Sequence, residues 1–206
     1  MPGTKLAEQK IANIFAVSRT LVRQALNQLS RHKLVTLEPA RGAFVARPSV
    51  EEAREVFEIR VLVETALMRK LVQTVTPAQV TALRDHLQRE RDAIARHDVS
   101  VRTRLLGDFH VVLARLLGNV ALVDLIQDLV SRSALISLMY QSADSADHSF
   151  EDHVAIVDAL DRRDARAAVR LVEHHLVDVE RNLRLDPRVP DLAAALLPVQ
   201  RGATSC

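Results

Sequence analysis

A mainly α-helical chain in two parts is what this sequence predicts: an N-terminal winged helix-turn-helix over residues 1–48 and a C-terminal all-α six-helix bundle over residues 49–186. Three observations carry that expectation. The first is composition. Of 206 residues 48% are hydrophobic, while Gly (5), Pro (7) and aromatics (3%) are scarce, which disfavours β-sandwiches, collagen and disordered chains. The second is apolar residues recurring at helical spacing from one polar break to the next. The third is charge: residues 1–48 hold 8 Lys+Arg against 2 Asp+Glu, and residues 49–206 hold 20 against 24. A basic head on an acidic body predicts that the head meets a polyanion and the body does not. No apolar run approaches the ~18 residues of a membrane span, and no charged-then-apolar leader opens the chain. The one cysteine, Cys206, excludes a disulfide scaffold or a Cys-based metal site. A soluble, cytoplasmic protein with no membrane partner is expected.

In the head, Leu6, Ile11, Ala12 and Phe15 form an apolar stripe that predicts a helix over Leu6–Phe15. After the break at Ala16-Val17, Ser18 reads as the N-cap of a second helix ending near His32, with Val22, Ala25, Leu26 and Leu29 on one face. Val35–Leu37 and Ala43–Val45 are β-prone around a Pro39-Ala40-Arg41-Gly42 turn, and Arg47-Pro48-Ser49 is a linker. The body then reads as helix after helix. Val50–Val72 is expected to turn Val56, Ile59, Val63, Ala66, Leu67 and Leu71 inward. Thr76-Pro77-Ala78-Gln79 is a helix start, with Thr as N-cap, Pro at the first helical position and Gln closing a capping box. That helix runs to about Arg96. Ser100–Leu117 follows and stops at Gly118-Asn119, a pair suited to a left-handed C-cap. Ala121–Met139, the most apolar helix, is expected at the centre. Gln141–Asp147 is a polar loop, and Ser149–Asp161 and Ala165–Arg184 pair across the Arg162-Arg163-Asp164 turn. Residues 187–206 form a tail in which Leu192–Leu197 suggests a short helix.

The second helix of the head has the make-up of a DNA-recognition helix. Ser18, Arg19, Thr20 and Arg23 stand exposed at its N-terminal end, the end that enters a major groove. Arg19 and Arg23, four apart, share a face, and an Arg can hold guanine bidentately. The Ser18 and Thr20 hydroxyls suit phosphate. At the wing tip Arg41 offers a cation and Gly42 close approach to a minor groove. Singly, each also fits an ordinary capped surface helix; in this order they point to DNA.

Leu6-Ala7-Glu8, Ile11-Ala12, Val17–Leu26, Leu34-Val35 and Arg41–Val45 resemble the winged helix of GntR-type bacterial transcriptional regulators. The resemblance implies operator binding as a dimer, with Arg19, Thr20, Arg23 and Gly42 at positions that touch DNA and Gln9 at one that can. The family pattern has a further helix before Pro2-Gly3-Thr4. The head here lacks that first helix, and a true start upstream is expected.

Eight histidines stand in the chain. His153 lies nine residues before Arg162, and His175 twelve after Arg163. At ~1.5 Å rise per residue their heights differ by only ~4.5 Å, so the imidazoles can meet across an antiparallel pair. His110, midway along Ser100–Leu117, can face them, and three converging imidazoles make a transition-metal site with open positions. Alone, each histidine reads rather as an ordinary hydrogen-bonded or exposed one, which is how His32, His86, His97, His148 and His174 are read. Arg60 with Glu64, Phe109-His110, Leu117-Gly118-Asn119, Glu151-Asp152-His153 and His175-Leu176 resemble the FCD ligand-binding bundle of the FadR branch of GntR regulators. That resemblance implies a divalent metal (zinc, nickel or manganese) held by His110, His153 and His175, assisting a small carboxylate effector. The family's aspartate position falls on Leu106, and Asp108 is turned ~200° from His110. Arg60 is read either as an effector clamp or as an i, i+4 partner of Glu64. Arg132 and Tyr140 are further effector candidates, Arg132 being read also as a dimer-surface residue or as one that snorkels to solvent. The function expected is therefore a repressor on a palindromic operator, acting as a homodimer. The rival is a three-His metalloenzyme, for which no carboxylate is placed as an obvious general base.

Overall fold

The computed structural model describes residues 2–140 and 146–183. The head is built on two short helices, α1 (Glu8–Phe15) and α2 (Arg19–Arg31), and three strands, β1 (Lys5–Leu6), β2 (Val35–Glu38) and β3 (Gly42–Val45). α1 stops because Ala16 adopts a left-handed conformation (φ 51°) and turns its N–H back onto the helix end. Ser18 then caps α2, its hydroxyl accepting the Leu21 N–H at 3.2 Å. The sheet is antiparallel throughout in the order β1-β3-β2, with Lys5 opposite Phe44 and Val35 opposite Val45. The β2–β3 turn needs positive φ at Gly42 (99°), which glycine adopts without penalty. Ala12, Val22, Leu26, Val35 and Ala43 close a small core between helices and sheet.

The body consists of α3 (Val50–Thr74), α4 (Pro77–Ala95), α5 (Val99–Leu116), α6 (Val120–Tyr140), α7 (Ala146–Asp161) and α8 (Ala165–Arg181). Ser49 with Glu52 and Thr76 with Gln79 form complete capping boxes. Asp98, Asn119 and Asp164 cap the starts of α5, α6 and α8. Gly118 is left-handed as expected (φ 67°), but Asn119 begins the next helix rather than ending the last. α3 packs along α8 and also meets α6 and α5; α4 packs on α5 and α7, and α7 on α8. Met68, Leu71, Leu83, Phe109, Ile126, Ile156, Leu160 and Leu176 lie in the main core. A second cluster, with Ala53, Val56, Phe57, Leu129 and Ile136, sits toward the linker. No helix among the described residues is long and apolar enough to cross a membrane.

Several elements differ from the sequence reading. Leu6 is not helical: it pairs with Ala43 in β1, a two-residue strand too short to show any period. Phe15 is 70% exposed, and Ala25 and Leu29 are exposed too, because the small head buries only the middle of each helical face. On α3 Ile59 and Ala66 face outward. The inward face there runs through Phe57, Arg60, Glu64 and Met68, so two charged residues occupy positions that an apolar count passes over. α6 is not central. Its principal neighbours are α5 and α3, and Val120 and Leu125 lie exposed. α7 begins at Ala146, inside the expected loop. The remainder of that loop from Gln141, residue Arg184, and the tail with its suggested helix lie outside the described residues.

Candidate functional site

Two sites emerge, one on the head and one inside the bundle. On the head, Gln9, Ser18, Arg19, Thr20, Arg23, Arg41 and Gly42 are all exposed. Arg23 forks onto Glu8 with two hydrogen bonds of 2.8 Å, and Arg19 reaches the same carboxylate at 3.3 Å. The Arg23 bond chiefly holds the Glu8 carboxyl down at about 2. The two guanidiniums are thereby gathered at the N-terminal end of α2. Gln9 bonds Asn13 at 2.9 Å. At the wing tip Arg41 pairs with Glu38 and lies over the Phe44 ring, 5.3 Å from its centre. Glu8 is the residue that sequence reasoning missed, since nothing in its spacing ties it to α2.

In the bundle, α5 carries His110, α7 carries His153 and α8 carries His175, and the structure brings the three together. Their ring centres lie 4.8 to 5.3 Å apart, and one nitrogen of each falls within 4.8 Å of the others. All three are buried. Each turns its Nδ1 to a carboxylate: His110 to Glu64 at 2.6 Å, His153 to Glu90 at 3.1 Å, His175 to Asp152 at 3.0 Å. A carboxylate can only accept, so Nδ1 carries the proton and Nε2 keeps its lone pair. His153 Nε2 has no partner although it is buried. Phe109 stacks on the His153 ring at 3.9 Å and fixes its plane.

The electrostatics agree with that tautomer. Burial drives His110 down to about 3 and His153 down to about 4, against the pull of Glu64 and Glu90 respectively. Burial pushes the Glu64 carboxyl up, but the Arg60 charge and His110 more than reverse this and hold it at about 2. The Glu90 and Asp152 carboxyls also lie below their ordinary values, their imidazole partners outweighing burial. Three imidazoles, each oriented by an outer carboxylate, are a donor set that fits a divalent transition metal with positions left over. The metal-competent group comprises the three histidines; half-buried Leu106 supplies no donor. His86, read as an ordinary hydrogen-bonded or exposed histidine, is buried and hydrogen-bonded: its Nε2 donates to the Leu105 carbonyl at 3.0 Å and lies 3.2 Å from Glu90 Oε1.

Arg60 realises one of its two readings and leaves the other open. Its Nε donates to Glu64 at 2.7 Å, at i, i+4 spacing, while its buried Nη2 has no partner. Arg132 and Tyr140 are placed elsewhere than expected. The Tyr140 hydroxyl donates to the Pro48 carbonyl at 2.9 Å, and Arg132 lines a cleft with residues of the head. Both ride on α6, the one bundle helix that gives nothing to the histidine cluster. Glu90 and Asp152 were missed as site residues; each is one of many carboxylates, and only the tertiary fold aims it at an imidazole.

The sequence matches the family described as "FCD domain" over residues 55–178 and that described as "Bacterial regulatory proteins, gntR family" over residues 1–45. The HTH-type transcriptional repressor RspR of Escherichia coli K12 is 29% identical over 186 residues, covering 89% of this chain and 81% of its own. The repressor NanR of Citrobacter rodentium is 29% identical over 198 residues, covering 84% and 74%. Among solved structures, a GntR regulator from Rhodococcus sp. RHA1 superposes with a TM-score of 0.75 at 27% identity, covering 87% of this chain and 86% of the other. The E. coli protein McbR/YncC, at 21% identity and a TM-score of 0.73, shares the fold.

Proposed function

The chain belongs to the gntR family of bacterial regulatory proteins, with an FCD domain behind its winged head, and on that premise we propose a homodimeric repressor whose operator affinity is set by a small carboxylate effector bound, with a divalent metal, in the bundle. That it is a DNA-binding regulator rather than an enzyme follows from the family and relatives it matches. Repression is what the names of RspR and NanR state for those two relatives. Two-fold symmetry calls for a palindromic operator with both recognition helices in major grooves, and operator binding calls for a cytoplasmic location.

The observation that carries the effector reading is the convergence of His110, His153 and His175, each with Nδ1 on a carboxylate and His153 Nε2 left without a partner. These three would hold zinc, nickel or manganese. The ion would supply a Lewis-acid position for one effector carboxylate oxygen. Arg60 Nη2, a buried donor without an acceptor, would take the other end of that carboxylate, while Glu64 keeps the guanidinium and His110 in register. Effector control requires that the ligand bind the DNA-competent and DNA-incompetent states with different affinities.

The test is elemental analysis of the purified protein together with a thermal melt before and after chelation. About one equivalent of metal per chain is expected, with a melting temperature that falls on chelation and both effects lost in His153→Ala. Equal metal content in wild type and variant would overturn the three-histidine site. Failure of metal-loaded and metal-free protein alike to prefer any operator over random DNA would overturn the regulator reading.

A further inference from the structure

Between the winged head and the bundle lies a cleft of about 410 Å³ that neither operator contact nor the histidine cluster uses. Lys33, from the turn after α2, Arg47, just past β3, and Arg132, on α6, line it above an apolar floor that includes Val35, Val56 and Ile136. None of these three cations has an ion-pair partner among the described residues.

The structure explains why they stay unpaired. Asp128 stands one turn before Arg132 on α6, the spacing at which the two would pair. Its Oδ1 is instead taken by His32 Nδ1 of the head at 2.8 Å. Glu52, the carboxylate in the cleft wall, is turned to its capping box, with Oε2 accepting the Ser49 N–H at 2.9 Å. The Arg47 guanidinium lies against Gly3, where any Cβ would collide with it. Three like charges from three elements thus face one volume whose wall holds a single carboxylate, Glu52, engaged in its capping box. Three cations against one carboxylate leave the cleft with an excess of positive charge that an entering anion would balance.

We propose that this cleft binds a small polyanion carrying at least two negative charges, gripped by Lys33 and Arg47 of the head and by Arg132 of the bundle. The volume is that of a small-ligand pocket, and the apolar floor accommodates a short carbon skeleton between the charged ends. A ligand held from both sides restrains the head on the bundle beside the His32–Asp128 contact. It is an input to operator affinity separate from the histidine site.

Pyrophosphate, titrated calorimetrically into the metal-free full chain at fixed ionic strength, is the probe. One saturable site per chain is expected, with affinity lowered about tenfold or more in Arg132→Ala and in Lys33→Ala, the loss of one charge-assisted contact, and unchanged in His153→Ala. Thermal melts of the two cation variants, whose side chains lie outside the core, check that the fold is retained. Absence of saturable binding overturns the proposal, as does wild-type affinity retained in both cation variants. Loss of binding in His153→Ala alone also overturns it, by moving the anion to the histidines.

Discussion

Glu8 sits at the point where the head's charge is organised. By holding Arg19 and Arg23 to one carboxylate, it keeps two flexible cations near one geometry and cancels part of their field. Glu8→Gln should therefore raise affinity for random DNA and shrink the ratio of operator to random binding, with a steeper salt dependence as freed cations take up phosphates. Arg23→Ala should instead remove operator preference and leave the thermal stability of the bundle unchanged. Competition binding at two salt concentrations reads both, and an unaltered specificity ratio in both variants would show that α2 is not the reading helix. The residues proposed for recognition could be picked out because they are polar, clustered and on one short helix, where the structure leaves them exposed. Glu8 could not be, since its partners lie eleven and fifteen residues on, across a turn whose left-handed Ala16 no spacing rule announces.

At the scale of the element, the starts of α2 and α4 could be read from their caps, while Ser49, Asp98, Asn119 and Asp164 cap starts that the sequence reading did not assign to them. Ser18, Thr76 and Gln79 do in the structure what their side chains allow, because a cap depends on residues within one turn. The clearest departure is one set by tertiary contact: β1, whose strand exists only against β3. The central position expected for α6 failed for the same reason, since an apolar composition does not say which neighbours cover it. Gly107 marks where α5 meets α6. A Cβ there would lie 3.0 Å from Val130 Cγ1, so the contact that seats His110 one turn later depends on a missing side chain. Gly107→Val should cost about 1–3 kcal/mol by overpacking, read as a lower urea midpoint at unchanged slope. A midpoint at or above the wild-type value would mean that α6 yields freely.

Across the whole molecule, the site assembles from five helices, and its legibility fell off with distance in sequence. The His153–His175 meeting followed from counting residues to a shared turn. The outer carboxylates did not, since Glu64 and Glu90 reach His110 and His153 across 46 and 63 residues. Burial of these imidazoles has a cost that acid exposes. His110 and His153 titrate at about 3 and about 4 in the fold against ~6.5 in an unfolded chain, so their neutral forms are fully compatible with folding above ~6.5. Below that the unfolded chain binds the extra protons, and stability is lost as pH falls toward the folded values. Metal-free protein should lose stability between pH 6 and pH 5 with a slope approaching two protons, about 1.4 kcal/mol per pH unit for each, and His153→Gln should remove about half of it. Urea titrations at several pH values measure this, and a flat profile would show that the imidazoles are protonated in the fold. The same cage also has a charge count. With its three carboxylates ionised, Arg60 cationic and the imidazoles as neutral ligands, the buried cluster carries two net negative charges. A monovalent ion leaves that count short and a trivalent ion overshoots it. In the proposed metal site, before a carboxylate effector adds its own charge, the cluster would favour a divalent ion on charge alone, ahead of any question of ionic radius or coordination geometry.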